Sequence, residues 1–272
     1  MFVYTAGRVV KKISTDDCIC GVTSVDDELF VLLERDDNQV AVYSVNDYQL
    51  LRHLHLPGLK RHPYNDMTSC VRHKCLYVSN FFHPSCIHRF DLSGSAITKW
   101  SLHWSPHGLS ITPNCNLLVT CYDKLVGLSA DSGQCVCEIT LQPDIENLRH
   151  AVQLTTGQFV VCHGFGYDNL HRVCLVDDEG KVTRSYGGQG GPGDLQLNFP
   201  CHLAVDEDSQ LIFVADNHNG RVVLLSPTLE FVRYLRLGLR RPKRLYIHHN
   251  TRSLYAHVNL GLRRHNIVVM QL

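Results

Sequence analysis

Pairs of adjacent apolar residues recur along the chain at a nearly constant spacing, and each pair is predicted to end a strand. Successive pairs are separated by 47, 41, 41, 54 and 42 residues. A period of about 40 to 50 residues is typical of β-propeller blades and of helical repeats such as HEAT. Six repeated units are therefore predicted, marked by Phe30-Val31, Tyr77-Val78, Leu118-Val119, Phe159-Val160, Phe213-Val214 and Tyr255-Ala256.

The pattern within each unit favours strands over helices. Short runs rich in Val, Leu and aromatic residues alternate with turn residues, as where Ser226-Pro227-Thr228 separates the runs 221–225 and 231–235. No segment keeps the 3.6-residue period of a helix. We therefore predict an all-β, six-bladed propeller with four strands in each blade. We expect one domain that spans residues 1–272. Its first five blades are expected at residues 18–59, 66–106, 107–147, 148–198 and 199–240, and its sixth at 241–272 together with 8–13.

The last unit predicts how the ring closes. Its final run, 267–272, has the character of a third strand, so this blade lacks an outer strand of its own. The run Val9-Val10-Lys11-Lys12-Ile13 near the N-terminus resembles the outer strands of other units. Because a propeller protects its sheet edges only when the first and last blades meet, we expect this run to pair with the last blade.

Charge and hydropathy exclude several classes of function. Lys and Arg number 26 and Asp and Glu number 26, so no overall field attracts the chain to nucleic acid or a membrane. The longest apolar runs are far shorter than the roughly 18 residues of a membrane span. Residues 1–8 lack the features of a signal peptide. We expect a cytoplasmic, monomeric domain with no membrane partner.

Two further features resemble functional motifs but are interpreted as structural. Among 12 cysteines, Cys18-x-Cys20 and Cys135-x-Cys137 have the wrong spacing for a zinc or disulfide framework. These pairs are expected to be small buried residues in a reducing compartment. The glycine-rich stretch 187–194 precedes a strand rather than a helix, so it is predicted to be a connecting loop and not a phosphate site.

One unit resembles a known repeat family. The segments Asn198-Phe199-Pro200-Cys201-His202-Leu203-Ala204-Val205-Asp206 and 211–222, the latter containing Ala215-Asp216-Asn217-His218-Asn219-Gly220-Arg221, closely resemble an NHL repeat. With the preceding glycine-rich linker, this region is similar to the C-terminal propellers of tripartite-motif (TRIM-NHL) proteins. The resemblance implies a propeller that binds RNA or protein through its top face. The second and third units match the repeat less closely.

The top face carries the candidate binding residues. In a propeller the starts of the inner strands and the loops between second and third strands share this face, and here they are rich in cationic, His and aromatic residues. The candidates are Phe81, Phe82, His107, Tyr122, Arg149, His150, Phe165, Tyr167, His202, Arg241, Lys243, Arg244, Arg263 and Arg264.

Two kinds of partner fit this composition. A cationic patch attracts phosphates, and exposed aromatic rings stack unpaired bases, so single-stranded RNA is one expected ligand. An acidic or phosphorylated protein segment satisfies the arginines equally well. A protein scaffold that does not bind RNA is the alternative. Asp216, Asn219 and Arg221 are expected to stabilise a turn rather than to bind.

An enzyme is the least favoured interpretation, and no cofactor or metal is expected. Some propellers that resemble NHL repeats, the peptidylglycine amidating lyases, hold zinc through His residues that follow a Pro at inner-strand starts. Pro106-His107 fits that position, but His150 and His202 fall one residue later. Because side chains alternate along a strand, the three His are not expected to converge. Calcium lactonases need channel carboxylates, which the strand starts lack.

Overall fold

The structure, a computed structural model, describes residues 8–34, 39–60, 62–166, 170–235, 240–261 and 264–272. Within these ranges the chain forms six antiparallel sheets of four strands each. Inner strands of successive sheets contact one another around a closed ring. The chain is therefore a six-bladed β-propeller, as predicted.

The strands follow one another in chain order within blades one to five. Blade one contains β2 (Ile19–Val25), β3 (Glu28–Leu33), β4 (Gln39–Ser44) and β5 (Leu50–His55). Blade two contains β6 (Met67–Cys70), β7 (Cys75–Asn80), β8 (Cys86–Asp91) and β9 (Ala96–Ser101). Blade three contains β10 (Gly108–Ile111), β11 (Leu117–Thr120), β12 (Lys124–Leu128) and β13 (Cys135–Thr140).

The remaining blades complete the ring. Blade four contains β14 (Leu148–Gln153), β15 (Phe159–His163), β16 (Leu170–Val176) and β17 (Val182–Gln189). Blade five contains β18 (Pro200–Val205), β19 (Ile212–Asp216), β20 (Arg221–Leu225) and β21 (Phe231–Leu235). Blade six contains β22 (Pro242–His248), β23 (Ser253–Asn259) and β24 (His265–Gln271), and β1 (Arg8–Thr15) is its outer strand.

Burial explains the periodic signal in the sequence. The second strand of each blade lies between two neighbouring blades, so both of its faces are covered, as in β7 and β15, where every residue is buried. Outer strands such as β5 are mostly exposed. The apolar pairs lie within these second strands, so the prediction that they end a strand is wrong. A strand buried on both faces is apolar along its whole length, and an apolar pair therefore does not mark where it ends.

Ring closure occurs as predicted, through the N-terminal strand. β1 pairs antiparallel with β24 from Arg8 opposite Gln271 to Thr15 opposite His265, with a bulge at Val10. Ile13 is the buried residue of β1 and packs in one cluster with Ile19 of blade one and Tyr255 of blade six. Closure therefore adds both a hydrogen-bonded ladder and a hydrophobic contact between the first and last blades.

The NHL-like unit contains a buried ion pair. Arg221 Nε donates to Asp216 Oδ2 over 2.7 Å, and the Asn219 amide donates to the same oxygen over 2.8 Å. Arg221 also donates to the carbonyls of Gly193 and Gln196, in the segment that joins blades four and five. These three residues fasten the glycine-rich connection to blade five.

The two C-x-C pairs differ in exposure. Cys18 is half-buried and Cys20 is buried, whereas Cys135 and Cys137 are both exposed, and all four are free thiols. The expectation of burial is wrong for Cys135 and Cys137, because β13 is an outer strand with solvent on one side and a bulge opposite Leu128. No helix occurs within the described ranges, and hence none that could cross a membrane.

Replacing Ile13 tests the contribution of ring closure to stability. Ile13→Ala is expected to lower the free energy of unfolding by about 2 to 4 kcal/mol, since it empties a buried site between two blades. Val10→Ala, on the same strand but 45% exposed, is the matched control and should change stability by less than about 0.5 kcal/mol. Urea unfolding measures both. Equal effects of the two variants would show that β1 does not close the ring through Ile13.

Replacing Arg221 tests the buried ion pair. Arg221→Met leaves the Asp216 carboxylate buried without its cation, and is expected to cost about 3 to 5 kcal/mol of unfolding free energy. Arg184→Met changes an exposed arginine of β17 in the same way and serves as control. Thermal and urea unfolding report the difference, and a loss below 1 kcal/mol for Arg221→Met would contradict the structural role.

Candidate functional site

A cavity of about 230 Å³ opens at the top face, where the inner strands of blades three to six begin. Phe165 and His218 come from the loops between the second and third strands of blades four and five, and Asn259 is the last residue of β23 in blade six. Its lining residues are Tyr64, His107, Arg149, Phe165, Phe199, Cys201, Asn217, His218, Arg241, Lys243, Arg244 and Asn259. We call it the mouth cavity. Inner-strand starts and these loops therefore meet as the sequence predicted.

Arg149 is the central cation of the mouth cavity. Its guanidinium carbon lies 4.8 Å from the ring centre of Phe199, 5.2 Å from Phe165 and 5.6 Å from Tyr64. Cation–π contacts at these distances hold the guanidinium in place. Its Nε is buried, and no described residue accepts a hydrogen bond from it. Arg149 is thus positioned but lacks an anionic partner among the described residues.

Two further cations border the cavity. Arg241 is exposed, and Lys243 is half-buried. Lys243 Nζ donates to the carbonyl of Pro63 over 3.2 Å and lies 3.8 Å from Cys18 Sγ. None of the described residues that line the mouth cavity is acidic. The described lining of the cavity therefore carries positive charge and no acidic residue, on a chain whose net charge is zero.

Arg244 lies deeper and has a structural role. It is buried, its Nε donates to the carbonyl of Cys20, and its NH2 group donates to the carbonyl of Asn65 over 3.1 Å. Its Nε is also 3.3 Å from Asp66 Oδ1. The Arg244 side chain therefore joins blade six to blades one and two across the channel, and its charge is balanced by Asp66.

His150 and His202 meet in the channel below Arg149. Their rings stack with centroids 3.8 Å apart, and both side chains are buried. The prediction that these His do not converge is wrong. Each lies at a register irregularity, between Leu148 and His150 in β14 and between Pro200 and Leu203 in β18. A bulge inserts one residue and interrupts side-chain alternation, so counting residues along the strand gave the wrong face.

Burial keeps both rings neutral. It lowers the pKa of His150 to about 4, against a partial opposing effect of Asp66. Burial also lowers the pKa of His202 well below its usual value, and the neighbouring His150 and Arg244 act in the same direction. His107 lies apart from this pair, with its ring 5.3 Å from that of Phe81.

Asp66, His150 and His202 form the one cluster among the described residues whose spacing could hold a metal ion, with ligand atoms within 4.8 Å of one another. The hydrogen bonds disfavour a cation there. His202 Nδ1 accepts from the Leu245 amide, which places the ring proton on Nε2, towards Asp66. The positive charge of Arg244 already compensates the single carboxylate. A divalent ion would have to displace both interactions.

Aromatic residues extend from the mouth cavity across blade two. Phe81 stacks on His62 with centroids 4.6 Å apart, and Phe82 meets the same His62 ring edge-on at 4.3 Å. Tyr64 contacts Phe81 at 5.3 Å and also lines the cavity. We call His62, Tyr64, Phe81 and Phe82 the aromatic ledge. Two of its members, Phe81 and Phe82, were candidates from the sequence.

Other predicted residues lie away from the mouth cavity or outside the described residues. Tyr122 is 58% exposed in the turn between β11 and β12, and Arg264 is exposed next to β24; neither lines the cavity. Tyr167 and Arg263 lie outside the described residues. The structure thus brings His107, Arg149, Phe165, Arg241, Lys243 and Arg244 together at one cavity.

Sequence reasoning missed several cavity residues. Phe199 immediately precedes Pro200 at the start of β18, so extending the search by one residue would have found it. Tyr64 lies in the connection between blades one and two, and Asn217 bridges blades by donating to the Pro242 carbonyl over 2.8 Å. No sequence signal sets Tyr64 apart from its neighbours in that connection.

Comparison with known proteins gives the fold and no more. No protein-family model matches the chain, and no curated protein matches it in sequence. Many solved structures share the fold. The β-propeller domain of Cps50 (Swd1) from Myceliophteria thermophila is 12% identical, with a TM-score of 0.65, covering 98% of this chain and 99% of that chain.

Two enzymes also share the fold. Virginiamycin B lyase from Staphylococcus aureus is 13% identical over 90% of this chain and 81% of that chain, with a TM-score of 0.64. Hydrazine synthase from Kuenenia stuttgartiensis is 14% identical over 93% and 83%, with a TM-score of 0.65. A fold shared by a propeller domain of one protein and by enzymes does not select a function, which must be argued from the site. By fold, this chain belongs among the six-bladed β-propellers.

The buried His pair predicts instability in acid. The unfolded chain takes up a proton on each His near pH 6.5, but folded His150 does so only near pH 4, so stability falls as pH drops between these values. Between pH 7 and 5, His150 should account for a loss of about 2 kcal/mol. Urea unfolding at both pH values should therefore show a smaller loss for His150→Gln than for the unmodified chain. His53→Gln, at an exposed position of β5, should retain the full loss, and equal losses in both variants would refute the assignment.

Proposed function

We propose that this chain is an NHL-type propeller that acts by binding, and that its mouth cavity receives an acidic side chain of a partner protein. One observation carries the proposal. Three cations, Arg149, Arg241 and Lys243, surround a cavity in which no described lining residue is acidic. The NHL assignment is supported by the segment 198–222, whose Asp216–Arg221 pair anchors the preceding linker.

The geometry of Arg149 favours a carboxylate or phosphate. Aromatic rings surround the guanidinium, so it cannot turn freely, and because Arg149 lines the cavity it can form charge-assisted hydrogen bonds with an anion there. Because the buried Nε has no described partner, an incoming anion would satisfy a donor that is otherwise left unpaired. Binding therefore adds a strong interaction, and an anion reaches the covered Nε when the surrounding rings shift.

The size of the cavity favours one side chain over a larger ligand. Its volume of about 230 Å³ is below the roughly 300 to 1,000 Å³ typical of pockets that enclose drug-sized molecules. An aspartate, glutamate or phosphorylated side chain is small enough to enter. A partner would then contact the top face with its backbone outside the cavity.

A protein segment fits better than single-stranded RNA. The rings of Tyr64, Phe165 and Phe199 contact Arg149, and Phe81 stacks on His62, so several aromatic faces are already engaged. Nucleic-acid affinity also relies on many phosphate contacts, whereas three cations border this cavity. The channel centre supports binding over catalysis, because Asp66 is paired with Arg244 and one nitrogen of each His ring is hydrogen-bonded to the backbone.

Peptide binding tests the proposal. An array of nine-residue peptides with a fixed central Glu, phosphoserine, Gln or Lys is probed with the intact chain and with the triple variant Arg149→Ala, Arg241→Ala, Lys243→Ala. Glu and phosphoserine peptides should be retained, and the triple variant should bind them at least tenfold more weakly. The matched control replaces three exposed cations on or next to outer strands, Lys99→Ala, Lys181→Ala and Arg184→Ala, and should bind normally.

Two results would contradict the proposal. Equal binding of Glu and Gln peptides, or of both triple variants, would remove the mouth cavity as the anion site. Tighter binding of a 20-nucleotide uridine-rich RNA than of any peptide, lost in the Arg149 triple variant and steeply weakened by salt, would assign the same cations to RNA. Thermal unfolding of each variant confirms that the fold is retained.

A further inference from the structure

The aromatic ledge is an exposed apolar surface that extends beyond the proposed acid-binding cavity, which it meets at Tyr64. Phe82 is 51% exposed and Tyr64 is 42% exposed. Most other large exposed apolar residues, such as Ile97, Val136 and Phe231, lie on outer strands at the rim of the propeller. The ledge instead adjoins the mouth cavity, where an apolar patch bordered by polar groups is typical of an interaction site.

The ledge is continuous with the cavity through Tyr64. The Tyr64 ring lies 5.6 Å from the Arg149 guanidinium on one side and 5.3 Å from the Phe81 ring on the other. Phe81 in turn lies 6.4 Å from Phe82. A ligand that places an anion against Arg149 therefore passes over Tyr64 towards Phe82.

Hydrogen bonds fix the loop that carries the ledge. The Phe81 amide donates to Asn65 Oδ1 over 3.1 Å, and Ser85 Oγ donates to the Phe81 carbonyl over 3.1 Å. The Asn65 amide group donates to the Lys60 carbonyl over 2.7 Å, which joins the loop to the connection between blades one and two. His62 fills the space between Phe81 and Phe82. The rings are thus held in place before any partner arrives, which lowers the entropy lost on binding.

We propose that the ledge binds a bulky apolar side chain of the same partner segment whose acidic side chain enters the mouth cavity. This inference rests on the proposed function and specifies its ligand: an extended polypeptide with an acidic residue and a Phe, Leu or Met close by. The steps from the Arg149 guanidinium to Tyr64 (5.6 Å), from Tyr64 to His62 (5.1 Å) and from His62 to Phe82 (4.3 Å) set an upper limit on the distance between the cation and the ledge, which corresponds to about four to five residues of extended chain at about 3.3 Å per residue. Since alternate side chains of a strand share a face, the apolar residue lies two or four positions from the acid.

Charge complementarity and shape favour this occupant over a nucleobase. The cavity next to the ledge has cations and no acidic residue among its described lining, which favours a ligand with an anion, and an acidic peptide supplies that anion in one side chain. The stacking face of Phe81 is already covered by His62, which leaves the edge and outer face of Phe82 for an irregular apolar group. Base stacking instead needs open, flat ring faces.

Four nine-residue peptides test the inference by fluorescence anisotropy. One carries Glu with Phe two positions away, one carries Glu with Phe four positions away, one carries Glu alone with Ser in place of Phe, and one carries Phe with Gln in place of Glu. At least one peptide with both residues should bind tenfold or more tightly than the peptide with Glu alone. Phe82→Ala should abolish that advantage while leaving the affinity for the Glu-only peptide unchanged. Phe231→Ala, an equally truncated exposed Phe on an outer strand, is the matched control and should behave as the intact chain.

The outcomes separate this inference from the proposed function. Equal affinity for the Glu-only peptide and both Glu-Phe peptides would overturn the ledge while the acid-binding cavity stands. Absence of binding by every Glu peptide would overturn both. Binding of the Gln-Phe peptide as tightly as the Glu-Phe peptides would show that the ledge acts without the cavity, contrary to the inference. Tight binding of uridine-rich RNA that is lost in Phe82→Ala would assign the ledge to a base instead.

Discussion

Pairing between β1 and β24 is the constraint on which the rest of the structure depends. A propeller blade buries its second strand only when another blade covers each face, so an open ring would expose the apolar surfaces of two blades. The β1–β24 ladder and the cluster around Ile13, Ile19 and Tyr255 prevent this. Closure also fixes the diameter of the channel, and hence the distances between side chains that reach its mouth from separate blades.

The centre of the channel is held by polar contacts that cross between blades. Arg244 of blade six reaches Cys20 of blade one and the Asn65-Asp66 segment before blade two, and the Asp66 carboxylate accepts from the Leu109 amide of blade three over 2.9 Å. Buried charge of this kind is stable only when it is paired and hydrogen-bonded. In these contacts the charges at the centre of the channel are paired with each other. The cations that face the mouth cavity are then Arg149, Arg241 and Lys243.

The sequence predicted the fold well because a propeller repeats one pattern. The spacing of the apolar pairs predicted six blades, and a missing fourth strand in the last blade predicted closure by residues 8–13, which lie within β1 (Arg8–Thr15). Side-chain direction was predicted less well. Bulges at the starts of β14, β18 and β22 interrupt the alternation of side chains, so His150 and His202 meet where simple counting kept them apart. A bulge leaves no clear mark in a single sequence.

Burial of charged residues was equally hidden. Arg244 and Lys243 are neighbours in sequence and looked equivalent, yet Arg244 is buried against Asp66 while Lys243 reaches the cavity. Contacts between blades that are distant in sequence determine which of the two side chains is buried. Such contacts also place Tyr64 between Arg149 and Phe81. The sequence predicted which strands and loops meet at the top face. It did not predict how deeply each side chain is buried there.

These features together support one claim: an acidic side chain of a partner enters the mouth cavity and pairs with Arg149. A double-mutant cycle measures this contact directly, by combining Arg149→Met in the chain with Glu→Gln in a peptide that binds it. The two changes should be strongly non-additive, with a coupling of tenfold or more in Kd, since each removes one partner of the same charged pair. Additive effects would show that the carboxylate and Arg149 do not meet, and would contradict the account.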